Sequence, residues 1–240
     1  MKHLETTDKY VKVTNSFFPH IGIAAKESLP LDYSKEWNLV RIEEKEILSK
    51  ITGIDKKNIH LLRQVHEDTI IHITEPSFED KSFSGIADGI ITTVKNSCVV
   101  IRTADCVPLF AYDNRNNILG AAHSGWRSTQ LKIASKLVQT MHTTYNSSYE
   151  DISVIILPSI GPDSYEVQMD VAQHFEGYYT NKSGKILLNL WKHIEDSLIE
   201  AGVSKENIYF TEVCNLIHND TYFSHRCGDA GRNLNFGVLG

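Results

Sequence analysis

Two apolar runs, Val107–Tyr112 and Ile118–Ala122, flank the segment Asp113-Asn114-Arg115-Asn116-Asn117, and that pairing constrains the fold more than any other feature. Asn and Asp hydrogen-bond to nearby backbone and tolerate left-handed φ, so the five residues are turn chemistry throughout and the runs read as a β-hairpin. A turn centred on Arg115 would pair residues whose numbers sum to 229 or 230. Cys106 and His123 sum to 229. A thiol and an imidazole are therefore expected at the open end of one hairpin, roughly 5–7 Å apart at Cβ.

The rest of the chain has the same texture of short strands. Ile59–His66 and Thr69–Ile73 read as strands, and Ala87–Thr93 and Cys98–Thr103 as a second hairpin around Lys95-Asn96. Ile152–Leu157 is a buried-looking strand ended by Pro158, and Asn207–Val213 a late one. Helices are expected over Ser34–Lys50, Val167–Phe175 and Leu190–Ala201, the last closed by Gly202. A further helix carries the stripe Leu131, Ala134, Leu137, Val138 and Met141, with Ser128 as N-cap. Strand-rich stretches interrupted by helices, without strict βα alternation, predict a mixed α/β (α+β) sandwich. No linker or repeat divides residues 1–240, so a single domain is expected.

Composition narrows the function. The 240 residues are 41% hydrophobic and 22% charged, enough to bury a sizeable core. The net charge is −6 with no basic block, so no nucleic-acid or membrane partner is expected, whereas a few local cations suffice for a small anionic substrate. The polar start and the lack of a long apolar run predict a cytoplasmic protein. The four cysteines, at 98, 106, 214 and 227, contain no C-x-x-C pair and are expected to be reduced thiols. No G-x-G-x-x-G, Walker or G-x-S-x-G motif occurs.

A soft thiolate and an imidazole at hairpin distance can share one tetrahedral zinc. His66 is the preferred third ligand, with His72 and His225 open alternatives. Three protein ligands leave one coordination position free, as in catalytic rather than structural zinc sites. Two other readings of the pair stand beside this one: Cys106 as nucleophile with His123 as base, and Cys106 as plain core. Asp105 is expected to orient a neighbour or to pair with Arg102 or Arg127. Arg127 lies at a helix start suited to holding an anion. Arg226 and Arg232 flank a Gly-rich loop, Cys227-Gly228-Asp229-Ala230-Gly231, with the same potential.

Gln64-Val65-His66, Ala87-Asp88-Gly89, Thr103-Ala104-Asp105-Cys106-Val107-Pro108, Ala122-His123-Ser124-Gly125-Trp126-Arg127 and Pro158-Ser159-Ile160-Gly161-Pro162 occur in this order along the chain. Together these stretches resemble the laccase-domain family, long labelled multicopper polyphenol oxidase and also described as purine nucleoside phosphorylase. Tyr165-Glu166-Val167, Phe223-Ser224-His225-Arg226 and Gly231-Arg232 extend it toward the C-terminus. The resemblance implies an αββα sandwich and a zinc (Zn²⁺) held by His66, Cys106 and His123. It also implies phosphorolysis of adenosine, inosine, guanosine and methylthioadenosine, with adenosine deamination, so the partners are a purine nucleoside and phosphate. Cys106, His123 and Asp105 then become catalytic candidates, and Arg127 and Arg226 substrate-binding ones. A monomer is compatible with this activity.

Two departures from the family pattern stand out. The N-terminal Gly-Gly turn with its arginine is replaced by Phe18-Pro19-His20-Ile21-Gly22-Ile23-Ala24, and His225 stands where a tyrosine is common. Rival functions are a copper (Cu²⁺) phenol oxidase, a metal-independent Cys–His hydrolase editing cell-wall peptides, and a non-catalytic purine-binding protein. The first lacks any His-x-His pair with which to assemble several coppers.

Overall fold

The computed structural model describes residues 3–77 and 79–240. Its strands are β1 (Leu4–Thr6), β2 (Val11–Val13), β3 (His20–Ala24), β4 (Ile59–Arg63), β5 (Ile70–Ile73) and β6 (Gly85–Ile86). They continue with β7 (Gly89–Thr92), β8 (Ser97–Thr103), β9 (Val107–Asp113), β10 (Ile118–Ser124) and β11 (Ile152–Ile156). The last are β12 (Glu166–Val167), β13 (Tyr179–Lys182), β14 (Lys185–Leu188), β15 (Ile208–Phe210) and β16 (Asn233–Leu239). Among the described residues, five α-helices punctuate them: α1 (Trp37–Thr52), α2 (Trp126–Gln130), α3 (Ile133–Tyr145), α4 (Met169–Ala172) and α5 (Leu190–Glu200).

The strands form two large mixed sheets, ordered β1-β2-β3-β16-β8-β4-β6 and β15-β11-β9-β10-β7-β5, and a small sheet β12-β14-β13. Ile21, Ile23, Val99 and Ile101 of the first sheet pack against Ile90, Phe110, Leu119 and Ile155 of the second. The outer face of the first sheet, with Leu61, Val100 and Phe236, takes Leu48 of α1. The outer face of the second, with Leu109, Ala111 and Val154, takes Leu137 and Met141 of α3 and Ile194 and Leu198 of α5. Each central strand is thus buried on both faces, which explains why these runs are continuously apolar instead of alternating. The layering is αββα, the mixed α+β sandwich expected.

Several boundaries differ from expectation. Residues 89–92 and 97–103 are not a hairpin: β7 and β8 belong to different sheets, and residues 93–96 carry the chain between them. The first strand stops at Arg63, and His66 has φ 63, which no strand residue adopts. Ser128 is not the N-cap; α2 starts at Trp126 behind Gly125, and the long helix begins anew after Lys132 at φ 58. The helix expected over 167–175 shrinks to α4, because Val167 pairs with Ile186 as part of β12. The strand expected over 207–213 shrinks to β15, which runs parallel to β11. The segment expected to lack the family arginine contains β3, whose Ile21 and Ile23 are fully buried core.

Candidate metal centre

Three connections meet at one end of the sandwich: the loop after β4, the crossover from β8 to β9 and the end of β10. They bring His66, Cys106 and His123 together. One ligand atom from each lies within 4.8 Å of the other two. Cys106 Sγ is 3.9 Å from His66 Nε2, and the two imidazoles meet edge to face at 4.7 Å.

The hairpin brings Cys106 and His123 together by a route different from the one expected. β9 and β10 pair with numbers summing to 231, so His123 faces Pro108 and Ser124 faces Val107. Cys106 therefore lies just outside the ladder. Asp113, expected in the turn, joins β9 and pairs with Ile118, so the loop is residues 114–117 with Asn117 at φ 53 and its centre falls past Arg115. Asp105 before it has φ 86, a left-handed kink at which the chain changes sheets.

The residue that organises the site is Asp88, fully buried beneath it. One carboxylate oxygen accepts the N–H groups of Val65 (3.0 Å) and Glu67 (2.9 Å), and the other accepts that of His66 (3.0 Å). It also hydrogen-bonds His123 Nδ1 at 2.7 Å. This one side chain holds the left-handed loop that presents His66 and fixes the ring of His123. With Nδ1 donating to the carboxylate, Nε2 of His123 keeps its lone pair for the cleft. Burial alone would raise the Asp88 pKa, but the bonds from His123, Glu67 and Val65 outweigh it and hold the carboxyl below its ordinary value. The Ala87-Asp88-Gly89 motif is visible in the sequence, yet no spacing rule links it to residues 65–67.

The electrostatics suit a cation. Burial works against the Cys106 thiolate, but the charge and hydrogen bond of His123, with a bond from His66, bring its pKa down to about 6. His123 rises to about 9, because the Cys106 thiolate and Asp88 outweigh the burial that opposes its charge. A thiolate, two imidazoles and a carboxylate behind one of them match the donor chemistry of a zinc site with its supporting hydrogen bond. Gly125 leaves the space: a Cβ there would come within 2.9 Å of His66 Cδ2 and 3.0 Å of Cys106 Sγ.

The remaining candidates are placed as follows. Asp105 pairs with neither Arg102 nor Arg127; its carboxylate accepts Ser224 Oγ–H at 2.7 Å and the Arg226 N–H at 2.8 Å, because the kink turns it toward that loop. Arg127 stacks its guanidinium 4.3 Å over its neighbour Trp126. Arg226 lies 5.3 Å over Tyr165 and donates from Nη2 to the Glu166 carbonyl. His72 is engaged with Tyr145 by a 2.7 Å hydrogen bond and is not among the clustered ligands. His225 stands between two cavities that share Ala104 and Cys106. One, of about 190 Å³, is lined by Trp126, Ile160, Tyr165 and Leu190. The other, of about 400 Å³, holds Arg63, Gln64, Arg102 and Arg232.

Among the described residues, no helix is long and apolar enough to cross a membrane. A purine nucleoside phosphorylase of Bacteroides thetaiotaomicron is 31% identical over 148 residues, 58% of this chain and 55% of that protein. The chain thus spans about half the length of that relative. Purine nucleoside phosphorylase SERP0752 of Staphylococcus epidermidis is 30% identical over 207 residues, 80% of this chain and 76% of that one. In fold, the chain is similar to YlmD from Geobacillus stearothermophilus, with a TM-score of 0.89, 23% identity and 99% of both chains covered. The Bacillus licheniformis hypothetical protein YfiH aligns with a TM-score of 0.88 and 23% identity over 99% of this chain and 100% of its own. A family model described as multi-copper polyphenol oxidoreductase laccase matches residues 35–239, from just before α1 into β16. By the extent of that match, the chain belongs to the multi-copper polyphenol oxidoreductase laccase family.

Proposed function

We propose that this chain is a zinc-dependent purine nucleoside phosphorylase acting on adenosine, inosine, guanosine and methylthioadenosine, with adenosine deaminase as a side activity. The observation that carries the reading is the convergence of His66, Cys106 and His123 in the arginine-lined cavity, with Cys106 shared by the aromatic one. Relatives named purine nucleoside phosphorylase support the substrate class.

His66, Cys106 and His123 would hold the ion. When bound, zinc supplies a Lewis acid that stabilises charge developing on the substrate. The chain's own groups do the rest. Trp126 and Tyr165 offer flat faces for a purine, a stacking contact that tolerates different bases. Arg127 and Arg226, already stacked on those two rings, orient the nucleoside. Asp105 is a positioning residue, anchoring the 224–226 segment that carries His225 and Arg226. Asp88 keeps the Nδ1 proton on His123 and so holds its ring in one tautomer.

A second reading rests on the same pair: the Cys106 thiol beside the His123 imidazole is the arrangement of a Cys–His nucleophile. Incubation of the purified protein with adenosine and phosphate separates the two. Adenine and ribose 1-phosphate, with some inosine, are expected, and activity should vanish on chelation and return with zinc. Turnover that survives complete removal of metal would favour the Cys–His reading. No purine product from zinc-loaded protein would overturn the proposal.

A further inference from the structure

The larger cavity carries positive charge without matching acid. Arg63, Arg102 and Arg232 line it, and no carboxylate does. Two fully buried acids stand behind its wall and both are committed, Glu44 to Arg41 at 2.5 Å and to Arg102 Nε at 3.1 Å, and Asp88 to His123 at 2.7 Å. Among the described residues Arg63 and Arg232 have no ion pair. Two of the guanidinium groups are tethered, Arg102 by Glu44 and Arg232 by backbone carbonyls, while Arg63 is exposed at the rim. Gln64 donates to the Arg102 carbonyl at 2.8 Å and accepts its N–H at 2.9 Å, tying the end of β8 to the His66 loop. Arg232 Nη1 donates to the carbonyls of Ala230 and Gly231, which leaves its other N–H groups for the cavity. Planar guanidinium forks held in this way are suited to bidentate capture of an oxyanion.

We infer that Arg63, Arg102 and Arg232 form a subsite for a tetrahedral oxyanion, inorganic phosphate, on the far side of Cys106 and His225 from the aromatic cavity. This rests on the phosphorylase reading for its role, and it moves the anion away from Arg127 and Arg226. Direct displacement at C1′ requires nucleophile and leaving group on opposite faces of the ribose. Two cavities meeting at Ala104, Cys106 and His225 provide those two sides. A phosphate oxygen forms the new bond to C1′ as the C1′–N9 bond breaks. The electron pair leaves on the purine, which takes up a proton, and ribose 1-phosphate remains.

Inorganic phosphate itself is the probe, with binding to the purified protein read by calorimetry alongside the phosphate KM of turnover. Arg102→Gln, Arg232→Gln and Arg63→Gln should each weaken phosphate binding at least about tenfold and raise the phosphate KM, with the nucleoside KM changed less than about twofold. Lys205→Gln, a remote exposed cation, controls for net charge. Arg63 makes no ion pair, so its variant tests the idea even if loss of the Glu44 partner unfolds Arg102→Gln. Wild-type protein that binds no phosphate, or arginine variants that bind it as tightly, would overturn the subsite. Phosphorolysis with an unchanged phosphate KM in the variants would likewise sink it while leaving the phosphorylase reading intact. Lost phosphate binding in variants of a protein that makes no ribose 1-phosphate would support the subsite and refute that reading.

Discussion

The Asp88 carboxylate binds His123 Nδ1 at 2.7 Å while accepting three consecutive amides from the loop that carries His66. One buried side chain therefore sets the position of two of the three clustered groups. Asp88→Asn keeps the shape but sets an NH₂ donor against N–H donors and loses the charge. Metal affinity should fall about 10–100-fold, as when the hydrogen-bonded partners of metal ligands are removed. Competition with a chromophoric chelator measures this, and an unchanged affinity would mean that Asp88 serves the fold alone.

Gly125 tests the space around the cluster. Its φ of −73 is open to alanine, so Gly125→Ala should fold, yet the new Cβ would meet His66 Cδ2 at 2.9 Å and Cys106 Sγ at 3.0 Å, inside van der Waals contact, so those two side chains must move. The expected result is a melting temperature within a few degrees of wild type and a metal content well below it. Equal metal content in the two proteins would show that the cluster has slack.

How far the sequence reached is clearest at Cys106. The Asn-rich turn announced the β9–β10 hairpin, but Asp113 joins β9, which leaves a four-residue loop and raises the pairing sum by one or two. The arithmetic named the right neighbours with the wrong register, because the end of a hairpin is forgiving where its middle is not. Lys95-Asn96 carried the same turn chemistry as a hairpin, yet Thr92 and Ser97 go to different sheets, a choice made by packing that local propensity does not encode. In the sequence His66 reads as a strand end. Its left-handed backbone is imposed by Asp88, twenty-two residues away, and no periodicity reports that.

Buried histidine gives the fold a pH limit. His60 is 4% exposed, and burial, with Lys45 nearby, lowers its pKa from 6.5 to about 4. The unfolded chain takes up this proton near 6.5, while the folded one resists it until about 4. The stability contribution is thus complete above pH 6.5 and is lost as pH falls through that window, on the order of 3 kcal/mol. Urea midpoints measured from pH 7 to 4 should fall accordingly, and His60→Phe should flatten the profile. A variant as pH-sensitive as wild type would assign the loss to other groups.

Asp105 joins the crossover to the 224–226 segment by two hydrogen bonds from a nearly buried carboxylate. Asp105→Ala should cost about 2–4 kcal/mol, since it strands a buried hydroxyl and an amide. Activity should fall further than stability explains, because His225 and Arg226 lose their anchor. Thermal melts and kcat/KM on the same sample compare the two losses.

X-ray absorption at the zinc edge, on protein purified without added metal chelators, bears most directly on the site. One equivalent of zinc with one sulfur near 2.3 Å and two imidazole nitrogens near 2.0 Å is the expected shell, and Cys106→Ala should lose the sulfur signal and most of the metal. Zinc bound without a sulfur neighbour, or a metal-free protein with full phosphorolytic turnover, would contradict the assignment of His66, Cys106 and His123.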